Sequence, residues 1–100
     1  MAEGDREIEI RTRATGLREA VSALDSRIKD AYVKSRLRFV ANTTDDVTRW
    51  FVGTALEERR TPAELSRWLD AAEYILAIAE HEYKSVSEIV EKVGPDLKSY

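Results

Sequence analysis

The chain of 100 residues contains no cysteine. Disulfides, thiolate metal sites, iron–sulfur clusters and cysteine nucleophiles are all excluded by that one absence, and the composition suits a reducing cytoplasm. Glycine and proline are scarce, at four and two, so no flexible or proline-rich linker divides the chain and a single domain is expected. Long apolar runs are missing too. The longest is Tyr74-Ile75-Leu76-Ala77-Ile78-Ala79, far short of the roughly 20 residues that span a bilayer. Residues 1–13 are charged throughout and have no signal-peptide apolar core. Without a secretion signal, Asn42-Thr43-Thr44 is read as a chance match to the glycosylation pattern. Neither charge sign dominates: 16 Lys and Arg stand against 19 Asp and Glu. Overall attraction to nucleic acid or to an anionic membrane is therefore not expected.

What the chain does have is apolar residues, 43% of the total, in patterns that repeat with the helical period. With so modest a net charge that is enough to build a core. The sequence predicts an all-α fold, an antiparallel three-helix bundle of long-short-long form with a short fourth helix at the C-terminus as an option. A polar lead over 1–14 precedes one helical domain over 15–100. Within the lead, Glu7-Ile8-Glu9-Ile10-Arg11-Thr12-Arg13 alternates at period two. That pattern suits a short strand, but no second segment offers a partner, and a loosely ordered tail is the simpler expectation.

From Thr15 the helical period takes over, and a first helix is predicted over 15–41. Leu17, Val21, Leu24, Ile28, Tyr32, Ser35 and Phe39 share one stripe at about 100° per residue. Val33, Leu37 and Val40 form a second apolar patch on the opposite side. A helix apolar on two faces is either central in its fold or touches another chain, and a subunit interface on these three residues is the preferred reading. Thr43 or Thr44 is expected to cap a second helix over 45–60, buried through Val47, Trp50, Phe51, Val52, Ala55 and Leu56. Gly53 in its middle suggests a close helix approach. Thr61-Pro62-Ala63-Glu64 is a capping box with proline at the first helical position. It opens a third helix over 62–93, whose buried stripe is Leu65, Trp68, Leu69, Ala72, Ile75, Leu76, Ala79 and Tyr83. Ser85-Val86-Ser87-Glu88 repeats the capping pattern, so a break near 84–85 is an alternative. Gly94-Pro95 ends the run.

No catalytic, cofactor or metal-binding set emerges. His81 is the sole histidine and has no carboxylate three or four residues before it, so it is read as a surface residue. Glu73 and Glu80, two turns apart, could form half of a metal site between helices but are read as solvated rim. Residues 85–94 look like the first helix and turn of a helix-turn-helix, with too little chain left for a recognition helix. The end of the predicted first helix is basic: Arg27, Lys34 and Arg38, with Arg11 and Arg13 from the lead, are the candidate contacts to nucleic acid, the second functional reading. Leu17-Arg18-Glu19-Ala20-Val21-Ser22-Ala23-Leu24-Asp25 resembles the opening of the first helix in the all-helical chorismate mutases. The resemblance implies a small enzyme with Arg18 as an active-site arginine. It covers barely ten residues, and the family's lysine after the first helix has no counterpart in 41–48. The leading expectation is a cytoplasmic, non-enzymatic helical interaction module without a cofactor, whose partner is itself or another protein chain.

Overall fold

A computed structural model of the chain describes residues 3–53 and 61–97. Every regular element in them is helical: α1 is Glu3–Asp25, α2 is Ala31–Asp46, Val47–Gly53 continues α2 as a π-helical segment, and α3 is Pro62–Leu97. Each of the three helices packs against the other two. The molecule is a rod of 51 × 20 × 16 Å.

The polar lead is the first half of α1, and the expected tail or strand is not observed. The reason lies in spacing. Ile10 and Ala14 are buried ahead of Leu17, Val21, Leu24 and Ile28, giving steps of four and three that keep one stripe on one helix face. Ile8, the other half of the apparent alternation, faces solvent. Glu7 and Arg11 pair one turn apart on the same helix, a local bonus for helix over strand.

The predicted helix over 15–41 is broken at residues 26–30, and the break explains its two apolar faces. Backbone bonds from Arg27 N–H to the Leu24 carbonyl (3.0 Å) and from Ile28 N–H to the Asp25 carbonyl (3.2 Å) tighten the last turn of α1. Asp30 then caps α2, its carboxylate accepting from the Val33 N–H at 2.9 Å. Lys34 donates from Nζ to the Asp25 carbonyl at 3.0 Å, satisfying the end of α1 from the start of α2. The core stripe resumes after the break as Val33, Leu37, Val40, Thr44 and Val47. Counted from Ile28, that is two residues later than an unbroken helix would place it. Two residues turn a helix by roughly 200°, so two consecutive core stripes mimic opposite faces of one helix. Val33, Leu37 and Val40 are accordingly core residues of the chain itself and offer no solvent-facing patch. Tyr32 and Phe39, expected in the core, are exposed instead.

No new helix begins at Thr43 or Thr44. Both lie within α2, where their hydroxyls donate back to the Phe39 and Ala41 carbonyls. The π segment then widens the helix, and the next buried position after Val47 is Val52, five residues on. This phase change turns Trp50 outward, correcting its expected burial; it is 56% exposed. Phe51 stays half-buried and meets the Trp68 ring with centroids 5.3 Å apart. Gly53 does not mark a close helix approach: a Cβ there would lie 3.2 Å from the Thr48 carbonyl of its own π segment, and from α1 would meet only the end of the Arg11 guanidinium at an ordinary 3.9 Å. Ala55 and Leu56, expected in the core, lie outside the described residues.

α3 starts as read, with the Glu64 N–H donating to Thr61 Oγ1 at 3.3 Å. It passes Ser85 without a break. Its regular geometry fails only at Val93 (φ −116°, ψ 21°), and the helical run then continues to Leu97 instead of stopping at 93. Pro95 has no N–H to give to the preceding turn, which accounts for the kink. Leu69, Ala72, Leu76, Ala79, Val86 and Val90 are buried, with Leu65, Ile75 and Tyr83 packed against them. The shared spacing of four and three on all three helices is that of coiled-coil seams.

Candidate functional site

Three seams run the length of the rod, and each carries different chemistry. The α1–α3 seam is an ion ladder. Arg6 donates to Glu73 from Nε (3.0 Å) and Nη2 (2.9 Å), and to Asp70 from Nη2 at 2.5 Å. Seven residues on, Arg13 reaches Glu80 at 2.5 Å. These carboxylates, expected to be solvated rim, are thus anchors for the lead. Both guanidinium pKa values are raised above the ordinary arginine value, chiefly by the hydrogen bonds to Asp70 and to Glu80 respectively. A raised cation contributes stability at every pH below its unfolded value and loses it only in strong alkali, so the ladder's arginines stay charged through the neutral range.

The α1–α2 seam holds a polar groove. Arg18, Ser22, Asp25, Lys34, Arg38 and Asn42 form its rim, and Val21, Leu37 and Ala41 its floor, around a hollow of about 210 Å³. Arg18 donates to Ser22 Oγ at 3.4 Å and lies 3.6 Å from Asp45. Lys34 pairs with Asp25 at 3.3 Å. Arg38 has no hydrogen-bond or ion-pair partner among the described residues.

The α2–α3 seam is the apolar one. Arg36 pairs with Glu82 and donates to the Tyr32 hydroxyl at 2.7 Å, its guanidinium carbon 5.7 Å from that ring's centre. The pairing with Glu82 is the main cause raising its pKa above the ordinary arginine value. Phe39 shares a hollow with Arg36 and Glu82. Arg36 meets Glu82 and Phe51 meets Trp68 across this seam. Tyr32, Phe39, Trp50, Tyr74, Ile78, Ile89 and Val93 are all exposed. Single exposed apolar residues are ordinary, whereas a concentration of them is a feature of interaction surfaces. Sequence reasoning places Tyr32, Phe39 and Trp50 in the core and so misses them. The Asp30 cap signal is what reveals the true phase of Tyr32 and Phe39.

The nucleic-acid candidates are scattered. Arg11 pairs with Glu7, Arg13 with Glu80 on the α1–α3 seam, and Lys34 with Asp25 on the α1–α2 seam. Arg27 and Arg38 are exposed without partners among the described residues, and the five form no continuous cationic stripe. His81 is exposed. Among the described residues no group of three His, Asp or Glu side chains could hold a metal ion, and no helix is long and apolar enough to cross a membrane. Comparisons with protein-family models, with curated proteins and with solved structures find no match to the chain.

Proposed function

We propose that the chain is an up-down-up three-helix bundle, antiparallel between successive helices, which acts as a non-enzymatic interaction module by pairing with a second copy of itself along the α2–α3 seam. The observation that carries this reading is the concentration of exposed apolar side chains on α2, its π-helical continuation and α3, namely Tyr32, Phe39, Trp50, Ile78, Ile89 and Val93, with Phe39 in a hollow shared with Arg36 and Glu82 of the α2–α3 seam. Aromatic residues supply most anchors of protein interfaces. One 51 × 20 Å side is large enough for the roughly 800 Å² per partner of a standard interface. Charge favours self-pairing as well. The ion pair of the seam, Arg36 and Glu82, is mutually neutralised, so two copies meet without repulsion there.

Light scattering coupled to size-exclusion chromatography, over a wide concentration range, tests the proposal. The expected result is a dimer that Phe39→Asp or Ile78→Asp converts to monomer, with helical circular dichroism retained because neither side chain is in the core. A monomer at all concentrations, or a dimer indifferent to both substitutions, would overturn it.

A further inference from the structure

The groove between α1 and α2 lies on a different seam, and its chemistry is ionic. Val21, Leu37 and Ala41 beneath it are buried and give a ligand no apolar surface to cover, so recognition falls to the rim. That rim carries three cations, Arg18, Lys34 and Arg38, and the single carboxylate of Asp25, in a chain of net charge −3. Lys34 holds the Asp25 carboxylate at 3.3 Å and its backbone carbonyl at 3.0 Å. Arg18 lies 3.6 Å from Asp45. Arg38 differs from both. The residues one turn either side of it on α2, Lys34, Ser35, Ala41 and Asn42, include no carboxylate, and the carboxylate that lines the groove is already committed. Lys34 and Arg38 are also like charges four residues apart, a spacing that destabilises a helix. Ser22 and Asn42 complete the rim, and both carry hydrogen-bond donors. An anion seated among these groups turns the repulsion into attraction.

We infer that this groove binds a phosphate group, free or carried as the monoester of a small polar molecule, with Arg38 as its principal contact and Arg18, Lys34, Ser22 and Asn42 as the surrounding donors. A phosphate monoester brings nearly two negative charges at neutral pH and three strongly accepting oxygens. An arginine fork grips two of those oxygens side by side and leaves the third to the other donors. A simple carboxylate offers one charge and two oxygens, which engage Arg38 and leave the rest of the rim unused. The hollow of about 210 Å³ is below the roughly 300–1,000 Å³ of pockets for drug-sized ligands, which restricts the ester to a small one.

The probes are inorganic phosphate and ribose 5-phosphate, titrated into the ¹⁵N-labelled chain and followed by amide shifts, with acetate in parallel and total ionic strength held constant by sodium chloride. The expected result is saturable movement confined to residues around Ser22, Arg38 and Asn42, with phosphate binding about tenfold or more tightly than acetate. Arg38→Gln should weaken phosphate about tenfold or more, whereas Arg27→Gln, which removes an exposed arginine outside the groove, should leave it unchanged. Tighter binding of ribose 5-phosphate than of phosphate supports an ester as the ligand, and equal binding supports the phosphate group alone. Acetate binding as tightly as phosphate would overturn the ligand class. Shifts that do not saturate at constant ionic strength, or equal losses in the two variants, would overturn the site. Native amide spectra of both variants, recorded first, separate loss of binding from loss of fold.

Discussion

The phase jump between α1 and α2 makes opposite demands on two residues that the sequence alone would have ranked the other way. Leu37 is 0% exposed and Phe39 50% exposed. Truncating Leu37 to alanine removes buried methyl and methine carbon and leaves a cavity in the core. The transfer loss, about 0.8 kcal/mol per buried CH₂ group, together with the cavity term puts Leu37→Ala at about 2–5 kcal/mol. Against a total of about 5–15 kcal/mol for a chain this size, that is a large fraction. Phe39→Ala removes a bigger side chain but one half in water, on a surface where substitutions cost about 0.5 kcal/mol. The assay is urea unfolding followed by circular dichroism, at protein concentrations low enough that association does not contribute. Leu37→Ala should lower the midpoint sharply with its slope unchanged, and Phe39→Ala should barely move it. Comparable losses, or a larger one for Phe39, would refute the break at residues 26–30 and restore the continuous helix.

Two further outcomes follow from local geometry. Asp30→Ala removes the carboxylate that caps α2 through the Val33 N–H and should cost about 1 kcal/mol by the same urea assay, while Asp30→Ser, which keeps a capping oxygen, recovers most of it. Gly16→Ala should stabilise the chain by about 0.5–1 kcal/mol, because a Cβ in the middle of α1 meets nothing within 4 Å; Gly53→Ala should gain less, since its Cβ comes within 3.2 Å of the Thr48 carbonyl, and a larger gain at Gly53 than at Gly16 would contradict the π geometry.

Helical class and the third helix were legible because their signals are local and redundant. The Thr61 capping box states where α3 begins, and eight apolar positions in steadily repeated steps state which face is buried. Phase was the illegible quantity. A break that contains no glycine or proline, residues 26–30, leaves only Asp30 to announce it, and Asp30 reads equally well as one more surface charge. The rest of α2 inherits the error: Tyr32 and Phe39 move to the core on paper, and Val33 and Leu37 to the surface; Trp50 is misplaced separately, by the π segment that no residue announces. The lead was misread for a related reason. Ala14 is a weak apolar signal, and without it Ile10 pairs by eye with Ile8 instead of with Leu17. The groove could not have been seen from either helix alone, since Arg18 and Ser22 come from α1 and Lys34, Arg38 and Asn42 from α2.

The ladder that ties Arg6 to Glu73 closes a loop of 67 residues, while Lys34 and Asp25 are nine apart. Loop-closure entropy grows as about (3/2)RT ln n, so the first contact costs about 2 kcal/mol more to bring together than the second. The order of assembly follows from that difference. The α1–α2 hairpin can form while most of the chain is still searching, and α3 then docks onto a surface already in place. Whatever is built between α1 and α2, the groove included, exists earliest in folding and rests on the contacts least separated in sequence. The ladder comes last, as the step that commits the N-terminal half of α1 to its contacts with α3.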